Sequence, residues 1–176
     1  MTPARLIPIV FLYLFSSASI ACTFRDTRNN AVYELNLSEA ECRTISYIDG
    51  PIIPMRLSYP EGKVVDSAWR GETIHLLLYH VDSTHRLDRM LDGASYIRSI
   101  GDLDVYKDSS EEFYLLRGSD SARIFIKERG YTWLAKRMYS GVLIQYQYDR
   151  RLTNFATIDN LIMAALEHML GRQGEQ

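Results

Sequence analysis

The sequence predicts an α+β domain: an antiparallel sheet with a long C-terminal helix and one shorter helix packed on it. Three observations predict it. Short runs of alternating apolar and polar residues occupy most of the chain from Ala31 to Arg150. Turn residues separate those runs, as at Ser140–Gly141. After Thr153 the apolar period changes from two to that of a helix. Of the 176 residues 47% are hydrophobic and 24% charged, the balance of an ordinary globular protein. No Pro/Gly/Ser-rich linker divides the chain, so one domain over residues 22–176 is expected behind a leader at 1–21.

The leader comes first. Arg5 is its positive start, Leu6 to Phe15 its apolar core, and Ser16 to Ala21 are mostly small. That is the pattern of a secretory signal peptide. The apolar run is too short to span a bilayer, which needs about 20 residues. Ser19 and Ala21 satisfy the small-x-small rule for cleavage after Ala21, making Cys22 the first mature residue. Two fates are open to it. One is acylation: Ala21 and Cys22 fit a bacterial lipobox, but Ser19 stands where that motif has Leu. The other is a disulfide with Cys42, the second of only two cysteines. Cysteine parity in an oxidising compartment favours the disulfide. On either reading the mature protein is periplasmic, and a lipid on Cys22 would be its one tie to a membrane.

The elements follow in order. Ala31, Tyr33, Leu35 and Leu37 alternate as in a strand. Ser38 and Glu41 have capping-box spacing, allowing a short helical turn through Cys42. "PIIPMRLSYPEG" holds Ile53, Met55, Leu57 and Tyr59 at period two between prolines, which predicts an edge strand. "TIHLLLYHV" is apolar on both faces and rich in strand formers, which predicts a central strand. "STHRLDRMLDGASYI" places Leu87, Met90 and Leu91 at helical spacing between a Ser83 or Thr84 cap and Gly93, predicting a helix of two to three turns. Short strands follow: "DVYK", "EFYLLR", "ARIFIKE", "YTWLAKRMY" and "VLIQYQYDR". In the last, Val142, Ile144, Tyr146 and Tyr148 share a face, with Gln145, Gln147 and Asp149 turned to water. Finally, Phe155, Ile158, Leu161, Ile162, Ala165, Leu166 and Met169 form one helical stripe, capped by Thr153 or Asn154 and ended by Gly171.

Chemistry is harder to find. His80, Asp82 and His85 are grouped closely enough to be considered as zinc ligands, but a strand end and a helix cap explain them. His75 and His80 fall on opposite faces of a strand. "RGSDSA" offers Ser119 and Ser121 without the second glycine of a nucleophile elbow. "GDLDVYKDSSEE" opens like a calcium loop, yet Lys107 and Phe113 stand where glycine and glutamate are needed. Neither a cofactor nor an enzymatic activity is expected. The basic residues from Arg117 to Arg151, Arg137 among them, read as charges on the wet side of a sheet. A net charge of -2 gives no ground for nucleic-acid binding. What remains is a protein-binding surface. The acidic run Asp102, Asp104, Asp108, Glu111 and Glu112, with an exposed Tyr114, is the patch expected to meet a partner.

The segment from Tyr139 to Leu170 carries one further feature. A late strand with Tyr146 and Tyr148 runs into Arg150 and Arg151, and a terminal helix opens on Phe155, Ile158 and Asp159. This resembles small exported proteobacterial α+β proteins, some of them periplasmic immunity proteins of toxin-delivery (type VI secretion) systems. The resemblance implies a partner protein, a secreted antibacterial effector neutralised by occlusion. The alternatives are a non-enzymatic component of the cell envelope and, more remotely, an envelope hydrolase.

Overall fold

A computed structural model describes residues 21–109 and 111–171. The predicted leader lies outside these residues, save for Ala21. Strands β1 (Ala21–Asp26) and β2 (Ala31–Asn36) form a hairpin, followed by helix α1 (Glu39–Thr44). Strands β3 (Ile52–Ser58), β4 (Thr73–His80), β5 (Ser95–Ile100), β6 (Leu103–Lys107), β7 (Glu112–Arg117), β8 (Arg123–Arg129), β9 (Thr132–Tyr139) and β10 (Val142–Asp149) make a second sheet. Helix α2 (Phe155–Leu170) comes last. The fold is α+β as expected, with strands predominant.

The eight-stranded sheet is antiparallel throughout, in the order β3-β4-β10-β9-β8-β7-β6-β5. Its register lines up Met55, Leu76, Tyr146, Ala135, Ile126, Tyr114 and Val105 in one row across seven strands. Period-two alternation puts that row on a single face, and α2 and the β1–β2 hairpin share one core with it. From α2 this core takes Ile158, Ile162, Met163, Leu166 and Met169, each nearly or wholly buried. Full burial of one such side chain is worth about 1.5–3 kcal/mol, so this face supplies most of the driving force for docking the helix. Asn154 caps α2, its side chain accepting from the Thr157 N–H at 3.1 Å, and Gly171 ends it. Ser140 and Gly141 turn β9 into β10 with φ of 47° and 75°, the left-handed pair a tight hairpin requires.

The short helix is the one the capping box allowed, not the one expected after Ser83 or Thr84. Ser38 and Glu41 complete a capping box and start α1. The predicted helix after Ser83 or Thr84 is instead a single 3-10 turn, Leu87–Leu91. Its residues do face one way, but they are drawn down onto the opposite face of the sheet. Leu87 packs there with Phe113, Phe125 and Leu143 in a second, smaller core. The Asp82 carboxylate caps the Thr84 N–H at 2.8 Å, closing a turn before a helix can begin. This cover also corrects the expectation of a wet side to β10. Leu143 is buried beneath the segment, and Gln145, Gln147 and Asp149 are only half-exposed.

The Cys22 and Cys42 sulfurs are bonded, with Cα atoms 5.9 Å apart. The bond ties β1 to α1, and a sulfur so committed cannot carry a lipid. Of the two fates open to Cys22, the disulfide is the one the structure has. Closing a loop of this length contributes about 3 kcal/mol on the loop-entropy account.

Candidate interaction edge

The two ends of the eight-stranded sheet differ. At one end, β3 carries Pro54, which has no N–H to offer. Residues 63–65 fold back along it: the Ser58 N–H donates to Lys63 O at 2.8 Å and the Val65 N–H to Arg56 O at 2.9 Å. The Arg56–Ser58 end of that edge is thus covered. At the other end, among the described residues β5 pairs with β6 alone, and every one of its six residues is exposed. Tyr96, Ile97 and Ile100 are 55%, 43% and 50% exposed. A register shift between Tyr96 and Arg98 marks a bulge at Ile97. Bulges and charges ordinarily blunt edges, so the regular open stretch is short, from Arg98 to Ile100.

Tyr96 is not loose despite its exposure. It ends an aromatic row on the face away from α2: Tyr96 to Tyr106 at 5.8 Å between ring centres, Tyr106 to Phe113 at 5.7 Å, and Phe113 to Phe125 at 6.2 Å. The inner members, Phe113 and Phe125, are buried. The Ser99 hydroxyl donates to Asp104 Oδ1 at 2.6 Å, and its oxygen lies 2.9 Å from the Tyr96 hydroxyl, which donates to it in turn. A tyrosine, a serine and a carboxylate are thus held in fixed relation at the sheet edge. Asp102 lies beside them in the β5–β6 turn.

The acidic residues predicted to act together divide between the two ends of β6, about 13 Å apart at strand rise. Asp102 and Asp104 lie at one end. Asp108, Glu111 and Glu112 lie at the other, where Asp108 Oδ1 accepts from the Glu111 N–H at 3.0 Å, Glu111 pairs with Lys127 at 2.9 Å and Glu112 lies 3.6 Å from Arg98. Tyr114 is not exposed as expected. Its in-phase position turns it to the helix side, edge-on to Trp133 at 5.7 Å and beside Phe155. The zinc candidates are also separate. His80 contacts Tyr33 edge-on, whereas the Asp82 carboxylate is taken by Thr84. Among the described residues no group of three His, Cys, Asp or Glu is placed to hold a metal ion.

Two groups of functional weight escaped the sequence. The first is β5 itself. Its signal, Tyr-Ile followed by Ile before a Gly-Asp turn, is hidden behind the helical pattern upstream. The second is a buried charge cluster on the helix side of the sheet. Arg137, expected on the wet side, is wholly buried. Its Nη1 donates to Asp159 Oδ2 at 2.6 Å and its Nη2 to Asp120 in the β7–β8 turn. Asp159, 1% exposed on α2, also accepts the Tyr146 hydroxyl at 2.8 Å. Burial alone would lower the Arg137 pKa; the Asp159 and Asp120 carboxylates outweigh it and raise it. Burial, reinforced by Asp159, pushes the Tyr146 phenol well above its ordinary value. The cluster is a strut between helix, sheet and hairpin, closed to solvent on all but the Asp120 side.

No helix among the described residues is long and apolar enough to cross a membrane. No family model matches the chain, and no curated protein matches it. Among solved structures, the crystal structure of the Neisseria meningitidis iron-regulated outer membrane lipoprotein FrpD is similar, with a TM-score of 0.49 and 10% sequence identity over 86% of this chain and 93% of that one.

Proposed function

We propose that this chain is an exported, non-enzymatic protein-binding domain, and that its partner is a secreted antibacterial effector neutralised by occlusion. The exposed acidic edge at β5–β6 carries the binding half of this reading. It combines a rigid aromatic, an oriented carboxylate and unpaired backbone groups, which are the ingredients of a recognition surface. Charge at the turn end favours a basic partner: residues 99–106 hold two carboxylates and no cation. The disulfide supports an oxidising compartment. The effector half rests on the resemblance in the C-terminal segment. Occlusion needs only that the edge enter the effector's cleft and exclude its substrate.

The test is a growth competition. Cells lacking the protein should lose viability beside effector-delivering neighbours and grow normally alone, and periplasmic expression of the wild-type chain should restore survival. An envelope defect in the absence of any rival would replace this reading with that of an envelope component.

A further inference from the structure

We propose that the β5–β6 edge recognises a short, extended, cationic segment of its partner, with a lysine or arginine side chain held between the Asp104 carboxylate and the Tyr96 ring. This rests on the protein-binding reading above and specifies the chemistry of that surface. Three observations carry it. The Ser99 hydroxyl occupies one oxygen of Asp104 and fixes the carboxylate plane, leaving the second oxygen to accept from a charged donor. The half-exposed ring of Tyr96 stands within the same hydrogen-bonded trio and is braced from behind by Tyr106. A cation beside a braced tyrosine face gains from the ring as well as from the carboxylate. Asp102, exposed one turn residue away, adds a second negative charge.

The backbone adds direction. Ile100 and Leu103 pair across the two-residue β5–β6 turn, so Ser99, the next position, lies at a site whose N–H and C=O face away from β6. A partner segment pairing there lies alongside Arg98–Ile100 and brings alternate side chains to the Tyr96–Asp104 face. The bulge at Ile97 limits the ladder, so the segment is short and its affinity depends on charge. A second copy of this chain is a poor occupant, because the turn end of its own edge, residues 99–106, holds two carboxylates and no cation.

The test is a two-dimensional amide NMR titration of the disulfide-bonded domain with a blocked pentapeptide, acetyl-Thr-Arg-Thr-Lys-Thr-amide, at low salt. Acetyl-Thr-Glu-Thr-Glu-Thr-amide serves as control. Shifts are expected at Tyr96, Ser99, Asp102 and Asp104, with millimolar affinity. Affinity should fall at least fivefold in D104N, whose side-chain oxygen still accepts the Ser99 hydroxyl and so preserves the fold. S99A removes only the hydroxyl that holds Asp104 and Tyr96, so the further loss in S99P over S99A reads the backbone component, with the near-ultraviolet circular dichroism of each variant confirming its structure. Equal binding of both peptides, or shifts confined to another surface, overturns the proposal. So does a concentration-dependent dimer in sedimentation that S99P abolishes, which would make a second copy the occupant. The cellular competition separates this from the wider reading. If D104N and S99P lose the peptide yet protect cells fully, the edge is not the effector's site and the proposal falls while the effector reading stands. If the peptide binds as expected and the wild-type chain gives no protection, the edge chemistry stands and the effector reading falls.

Discussion

Replacing Asp159 with leucine tests the buried charge cluster most directly. Asp159 is 1% exposed and accepts both Arg137 Nη1 at 2.6 Å and the Tyr146 hydroxyl at 2.8 Å. Its loss strands a wholly buried guanidinium, whose remaining anion, Asp120, is partly open to water, and a buried phenol. Removing one partner of a buried ion pair costs about 3–5 kcal/mol. A loss of about 4 kcal/mol is therefore expected, some 8–16 °C in Tm for a domain of this size. R137M should lose a comparable amount by orphaning the Asp159 carboxylate. The double variant D159L/R137M removes both charges and should recover most of the loss, because apolar replacements of a buried pair are often neutral. The assay is urea unfolding of the oxidised protein followed by tryptophan fluorescence. Single-variant losses below about 1 kcal/mol, or a double variant whose loss is the sum of the singles, would refute the reasoning.

Other outcomes follow from separate parts of the molecule. Mass spectrometry of the native protein should find Cys22 and Cys42 oxidised and free of acyl chains, and C42S should cost about 3 kcal/mol in urea. Gly118→Ala places a methyl carbon 2.8 Å from Asp120 Oδ1 and 3.1 Å from Asp159 Oδ2. A loss of about 1–3 kcal/mol is expected, and an unchanged midpoint would mean the hairpin has room to yield. Burial, with Asp26 nearby, pushes the Tyr33 phenol up to about 12, whereas an unfolded tyrosine titrates near 10. Its contribution to stability is whole below pH 10 and is lost as pH rises from 10 towards 12, since the unfolded chain releases its proton first. Urea midpoints measured from pH 8 to 11.5 should fall less steeply in Y33F.

Most of the fold was legible because local pattern and tertiary packing agree. In β3 and β10 the alternating residues are those that share a core with α2, and in α2 the buried face takes Ile158, Ile162, Leu166 and Met169 from the stripe. The exceptions have physical causes. β5 shows no alternation to read, because neither of its faces is buried. The Leu87–Leu91 segment has helical spacing, but packing against Phe113, Phe125 and Leu143 uses its apolar residues within a single turn. Arg137 follows Trp133 and Ala135 at period two, so its inward phase was readable; its charge argued the other way. Asp159, between Ile158 and Ile162, interrupts a stripe in the same manner. Each makes sense only with the other, 22 residues away in sequence, and local patterns do not report such pairings. The acidic run was visible as composition, but its division by β6 into two ends was not.

The unlike ends of the large sheet also set how far it can be extended. A ribbon that grows by adding strands needs a free margin on both sides of each unit, one to receive and one to offer. Here Pro54 offers no donor at the β3 margin and residues 63–65 take its Arg56–Ser58 end, so a unit docked at β5 presents a poor margin on which to continue the series. A domain released at high local concentration can thus keep one adhesive border without becoming the seed of a fibre.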